Sequence, residues 1–420
     1  MSADPRCELN VRFSLLKFIL AAALAGGFLL SVKLWLSSRH YPLSPVADWL
    51  PAVPSPLDWV WFCTLLGLLG LIAGLPRARG PLFAFVALAG LLSLWDQTRW
   101  QPWFYQYLFM LGALAFCGSG RESSALNACR LIVASMYVWS GLQKFNLGFV
   151  SEVYPWLIEP FCRWLEQLSA WLADGGNPPA WLTELERLIR HRQAGWGPPV
   201  IEAAIGAGLL VPFTRKPAVV LAVLMHALIM LSIGPLGHDW NTVVWPWNAA
   251  MVLFVIILFW GTRDVPLSAV IVPRRVYHGL VLVLFGLMPA LSFYNCWDAY
   301  LSACLYSGNT VQADLEVSAA VCEQLPPEVQ KHAYRTGLDT YAVSVFRWAI
   351  GELNVPPYPA PRVYRSIARH FCKDALDAAD VVLTIHPPDH WWGGTQREPI
   401  VYDAADLCPE KGLQRPEPER

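Results

Sequence analysis

The chain has 420 residues, 55% of them hydrophobic and only 15% charged, whereas a soluble globular domain carries roughly a quarter charged residues. A net charge of -1 without any concentrated basic face excludes nucleic acid as a partner, because binding phosphates requires such a face. The 21 tryptophans suit the headgroup region of a bilayer, so composition predicts an all-α polytopic membrane bundle with lipid around it.

Nine apolar runs approach the ~20 residues that cross the hydrocarbon layer. They cover 13–36, 56–75, 81–95, 104–117, 129–147, 198–213, 218–236, 242–260 and 276–295. The third and fourth are short and separated by DQTRWQPW, so they form either two spans or one re-entrant hairpin buried in protein. The first reads as an uncleaved anchor, because its apolar stretch runs past ALAGG through FLLSV without a cleavage boundary. Arg6, Arg12, Arg77, Arg79, Arg121, Arg215, Lys216, Arg263, Arg274 and Arg275 fall in alternate loops. That pattern predicts an inner-membrane protein with a cytoplasmic N-terminus, and with residues 150–197 and those beyond 296 outside the cytoplasm. Arg130, at the start of its span, reads as a snorkelling anchor. Asp96 and Arg99, three apart, read as neighbours that neutralise each other.

Domain boundaries follow: an N-terminal bundle over 1–147, an outer insertion over 148–197, the rest of the bundle over 198–296 and a cap over 297–420. In the insertion, Trp156, Phe161, Trp164, Leu168 and Trp171 recur near helical spacing and predict an amphipathic helix. The cap turns towards charge and proline. PPEVQKHAYRTG, YAVSVFRWAIGEL and APRVYRSIARHFCKDAL predict helices, while QADLEVSA, DVVLTIHP and EPIVYDA predict strands, giving a small extracytoplasmic mixed α/β cap fit to meet a protein partner. Cys162, Cys296, Cys304, Cys322, Cys372 and Cys408 form an even outer set and predict disulfides of undetermined pairing. No C-x-x-C occurs, and two prolines between His386 and His390 prevent a helical ligand pair, so no metal site is expected.

Ionisable groups at membrane depth are expensive and mark candidate sites. The candidate catalytic groups are Lys144, Glu202, His226, His238 and Asp239. Lys144 follows an apolar run in SGLQKFN and either snorkels to the membrane surface or stays walled off from water, where a lysine is a neutral amine near pH 7 and serves as a base. The stretch GPLGHDWNTVVWPWNAAM, residues 234–251, breaks a helix at Pro235 and Gly237, sets His238 beside Asp239, and adds an aromatic wall from Trp240, Trp245 and Trp247 for stacking a flat ligand. Asn241 and Asn248 supply amides that need buried partners.

SGLQKFN, WDQTRWQPWFYQYLF, IEAAIGAGLLVPF and VLMHALIMLSIG occur in the same order as in the membrane domain of the vitamin K-dependent γ-carboxylase family. Over about residues 10–260 the chain resembles that family and the wider horizontally transferred transmembrane (HTTM) group, and more distantly DoxX-type quinone-linked membrane proteins. The resemblance places Lys144 on the lysine that deprotonates the hydroquinone, with Gln143 and Asn146 where the family has lysine and aspartate. The family's D-x-T-x-W-x-x-H run falls on Asp96, Thr98, Trp100 and Trp103, so tryptophan replaces the histidine. In place of the large lumenal domain stands the 297–420 segment. The resemblance therefore implies an enzyme, a quinol-linked oxidoreductase or carboxylase-like lyase, acting on a quinone, lipid or other apolar substrate; it argues against glutamate carboxylation. A flat cofactor would lie among Trp103, Trp240, Asn241, Trp245 and Asn248. The rival readings are a scaffold whose cap binds a protein, and a small-molecule carrier.

Overall fold

A computed structural model describes residues 5–75, 78–117, 120–389 and 397–414. All nine apolar runs carry helix. The first four are α1 (Pro5–Leu30), α2 (Leu57–Gly74), α3 (Gly80–Leu92) and α4 (Pro102–Cys117). After α5 (Glu122–Gln143) come two helices of the insertion, α6 (Tyr154–Ala173) and α7 (Ala180–Arg190). There follow α8 (Gly197–Leu210), α9 (Arg215–Ile233), α10 (Val244–Phe259) and α11 (Val276–Val281), the last continued by a π-helical turn and a 3-10 segment to Tyr294. Among the described residues, five segments are long and apolar enough to cross a membrane: 6–30, 57–74, 122–143, 215–233 and 276–294. The others are shorter, and α3 and α10 are the strongly apolar ones among them.

The chain divides into two compact units. The first comprises residues to Gly27, Gly67–Val86 and Pro102–Asn309; the second comprises Phe28–Leu66, Ala87–Gln101 and Thr310 onward.

In the first unit α4 is surrounded by protein, with only Phe109 and Phe116 outside its buried set. Helices α5 and α8 approach closely because each presents a glycine to the other. A Cβ on Gly141 would strike the backbone of Ala203 and Pro199, and one on Gly206 would strike Val138 and the Ala134 carbonyl.

The helix ends pose a second problem: the last carbonyls of a helix have no intrahelical donor, and a dry bundle offers no water. Cations fill the gap. Arg12 donates to Ile257 O at 2.5 Å and Trp260 O at 2.8 Å, and Arg130 donates to Leu258 O at 2.6 Å, all at the end of α10. Arg215 donates to Leu209 O of α8 at 2.9 Å, Lys17 to Leu75 O beyond α2 at 2.7 Å, and Arg79 to Ala115 O of α4. The negative end of the helix dipole favours this placement. Arg130 thus corrects the snorkelling reading: it is only 2% exposed and its guanidinium also meets Asn127 Oδ1 at 2.5 Å, because buried carbonyls claim it before the membrane surface does.

The second unit carries the five-stranded antiparallel sheet, ordered β2-β3-β1-β4-β5, with β1 (Gln312–Ser318), β2 (Ala333–Arg335), β3 (Thr340–Val343), β4 (Val381–His386) and β5 (Ile400–Asp403). Leu315 of β1 is level with Val343 and Leu383, and these side chains face the core. All three expected strands are present. Two expected helices are corrected in part: 333–335 and 340–343 are strands of a hairpin that turns at Gly337, closed by Thr336 N–H to Thr340 O at 3.0 Å. Helical structure resumes only where Ser344 caps α12 (Val345–Leu353), and α13 (Pro361–Arg369) follows.

This sheet rests on a platform from the same unit. Asp96 pairs with Arg39 at 2.5 Å, both side chains fully buried, and also accepts from Ser44 N and Thr98 N. The expected Asp96–Arg99 pair is absent: Asp96 folds back as the cap of a 3-10 turn, while Arg99 reaches the carbonyls of Leu34, Trp35 and Leu92 at two helix ends. Burial brings the Arg99 guanidinium down to about 10, against the opposing charge of Asp96. Glu352 of α12 accepts from His40 N at 2.8 Å, Tyr41 N at 3.0 Å and the Trp348 indole at 2.8 Å.

The ten cysteines are all thiols, which corrects the expected disulfides. Cys162 is buried in α6, Cys304 donates to Ser307 Oγ, and Cys408 donates to the Arg369 carbonyl. The end of the tail beyond 414 and His390 lie outside the described residues.

Glu352 generates a prediction. Burial alone would raise its carboxyl, but the His40 and Trp348 N–H donors, with the Lys33 and His40 charges, outweigh burial and hold it below the usual range. A folded-state value below the unfolded one stabilises the fold above about pH 4.3 and is lost as pH falls through the folded value. Glu352→Gln should cost about 1–3 kcal/mol at pH 7 by denaturant unfolding, and the difference from wild type should shrink in acid.

Candidate functional site

The site lies wholly in the first unit and grows from one face of α5. Tyr137, Ser140 and Lys144 are three and four apart, so their side chains stack along that face. Lys144 is the residue on which α5 ends. Its Nζ donates to Glu202 Oε2 at 2.8 Å, Ser140 Oγ at 2.5 Å and Ser140 O at 3.3 Å. An ammonium has three donors, and here each has an acceptor. The two charged side chains are 11% and 14% exposed, so Lys144 neither snorkels nor stands alone: it is half of an ion pair. The geometry depends on the Gly141 and Gly206 contact, since Glu202 reaches Lys144 from α8 only because the two backbones lie so close.

One turn before Ser140 in α5, Tyr137 Oη lies 2.6 Å from His226 Nε2 of α9, and His226 Nδ1 lies 2.8 Å from Asn248 Oδ1 of α10. Asn248 Nδ2 donates to Val244 O at 2.8 Å, which fixes the amide so that Oδ1 faces the ring. The network therefore assigns the proton to His226 Nδ1 and leaves Nε2 to accept from the Tyr137 hydroxyl. Glu202 acts electrostatically on both Tyr137 and His226, and Lys144 on His226. Two polar sets from four helices thus lie in succession along α5, which supplies Tyr137 to one and Ser140 with Lys144 to the other.

The remaining predicted residues lie elsewhere. His238 stacks on Trp156 at 4.4 Å and 11°, and its Nε2 meets the Trp156 carbonyl at 2.7 Å, so its ring is occupied in holding α6. Asp239 is exposed, with a left-handed φ of 49°. Asn241, also left-handed at 48°, donates to Tyr306 Oη at 2.7 Å, while its buried Oδ1 has no hydrogen-bond partner among the described residues. Trp240 lies edge-on to Trp156 at 6.5 Å; Trp245 donates its indole N–H to the carbonyls of Ile233 and Trp240. Trp103 is buried against Gly27 of α1 and belongs to the core.

Sequence reasoning missed Tyr137 and Ser140, although their spacing from Lys144 is the signal that would have found them. It also gave Gln143 and Asn146 no structural task. Gln143 donates to Ser292 Oγ at 2.5 Å and Asn146 to Ser307 O at 2.8 Å, so both fix the turn after Lys144. Among the described residues no group of three His, Cys, Asp or Glu is placed to hold a metal ion; His386 pairs with Asp314 at 2.8 Å. No family model matches the chain, nor does any curated protein or solved structure.

The ion pair yields a double-mutant test. Lys144→Met strands a largely buried carboxylate and should cost about 3–5 kcal/mol in detergent unfolding, whereas Lys144→Met with Glu202→Leu should cost less than the single change.

Proposed function

We propose that the chain is an inner-membrane enzyme that takes a proton from a lipid-soluble hydroxyl, a quinol or a lipid, at the Lys144–Glu202 pair. One observation carries the reading: α5, α8, α9 and α10 each contribute a titratable or amide side chain to two polar sets that share α5, Lys144 with Glu202 and Tyr137 with His226 and Asn248. Such groups are costly at membrane depth and tend to mark sites.

In the proposed step the substrate O–H bond breaks and its proton goes to the pair, either to Glu202 directly or to Lys144 after Lys144 has passed its own to Glu202. When Glu202 takes the proton, the ammonium loses its carboxylate partner and turns to the new oxyanion. Ser140 keeps Nζ in place, and Asn248 holds His226 in the tautomer that accepts from Tyr137, which opens a route for the next proton.

The same reading keeps nine spans, a cytoplasmic N-terminus and an extracytoplasmic cap. It also keeps the resemblance to the carboxylase-like HTTM family for the Lys144 region. Glutamate carboxylation is not proposed, because tryptophan stands at Trp103 where that family has histidine.

The test is ligand content. Wild-type protein purified in mild detergent and extracted with organic solvent should yield a quinone or a distinct lipid by mass spectrometry, and Lys144→Ala and Glu202→Gln should lower it about tenfold or more. Unchanged content in both variants overturns the proposal. A cap deletion that alone removes the cellular phenotype, with Lys144→Ala harmless, would favour the scaffold.

A further inference from the structure

The second unit holds a cleft that the proposed chemistry does not use. Its volume is about 390 Å³, and it lies between the 37–43 loop and the end of α13. Arg39, His40, Arg369 and His370 line it together with Ser37, Tyr41 and Ser366, and no carboxylate does. Pro42 and Leu43 supply an apolar wall.

We propose that this cleft binds a phosphate ester, with the phosphate against Arg369 and His370 and the organic part against Pro42 and Leu43. Arg39 gives field only, since its guanidinium is spent on Asp96 and on the carbonyls of Leu34, Tyr41 and Pro42. Arg369 is the least engaged cation of the cleft: its Nε donates to Leu407 O, and among the described residues its forked end meets Asp48 alone, at 3.6 Å, an aspartate that is 87% exposed. A dianion held by a guanidinium fork displaces so loose a partner. His370 lines the cleft, where a bound phosphate would favour its protonated form. His40 brings a second imidazole, 3.7 Å from Glu352 and 3.9 Å from Glu328. The volume exceeds what inorganic phosphate needs and suits a small ester.

A lipid headgroup and a soluble metabolite share this chemistry. The experiment therefore has two arms with the full chain: glycerol 3-phosphate titrated into protein in neutral detergent, and protein in nanodiscs of phosphatidylglycerol compared with phosphatidylcholine. Saturable calorimetric binding in the first arm, or a raised unfolding temperature in phosphatidylglycerol in the second, supports the cleft and names the source. Arg369→Gln should weaken the effect about tenfold or more and Arg369→Lys much less, since a point charge replaces part of the fork. His370→Gln, at an exposed position, keeps the test independent of any folding defect in the Arg369 variants and should weaken binding several-fold. No response in either arm, or a response that Arg369→Gln and His370→Gln leave unchanged, overturns the proposal.

Discussion

A helix that ends away from water must find donors for its last carbonyls, and this chain meets that need almost everywhere with a cation. Arg12, Arg130, Arg215, Lys17 and Arg79 do so in the helical unit, and Arg99 does so for two helix ends beneath the sheet. Each contact satisfies two requirements together. The carbonyls gain hydrogen bonds, and the buried charge gains oxygen ligands that replace its hydration. Basic residues that orientation rules read as surface markers therefore double as internal fasteners.

Lys144 shows what the same constraint does when a carboxylate is within reach. Its ammonium also takes a carbonyl, that of Ser140, but the decisive ligand is Glu202. The pair exists because two glycines let α5 and α8 nearly touch, so small-residue packing and site chemistry are one design. The polar chain from Tyr137 through His226 to Asn248 is built on the same principle: every buried donor faces an acceptor, and the tautomer follows from the last link.

Much of the architecture was legible in the sequence. Each of the nine apolar runs marks a helix, and the patterns of QADLEVSA and DVVLTIHP mark the central strand β1 and its neighbour β4. The short hairpin at 333–343 was not, since two three- to four-residue strands carry too little periodicity to outweigh the helical signal around them. The site was half legible. Lys144, Glu202, His226 and Asn248 announce themselves as polar residues in apolar surroundings, yet which of them meet depends on packing. Tyr137 and Ser140 blend into an ordinary helix. His238 and Trp245 misled for the opposite reason: a conspicuous aromatic motif turned out to be joinery, its polar atoms consumed by main-chain carbonyls. Asp96 and Arg99 show that spacing alone cannot assign partners when stronger claims lie far away in the chain.

The platform has a temporal side. His40 and Glu352 are 312 positions apart, and other bonds that seat the sheet reach nearly as far, including Arg362 to Gln97 across 265 positions. A ribosome finishes the receiving loops long before it starts on what they receive. During that interval the two earliest loops must stay unclaimed while the later helices are made, so completion of the second unit is a late event, and any stop codon before Glu352 leaves a half-built seat with nothing to fill it.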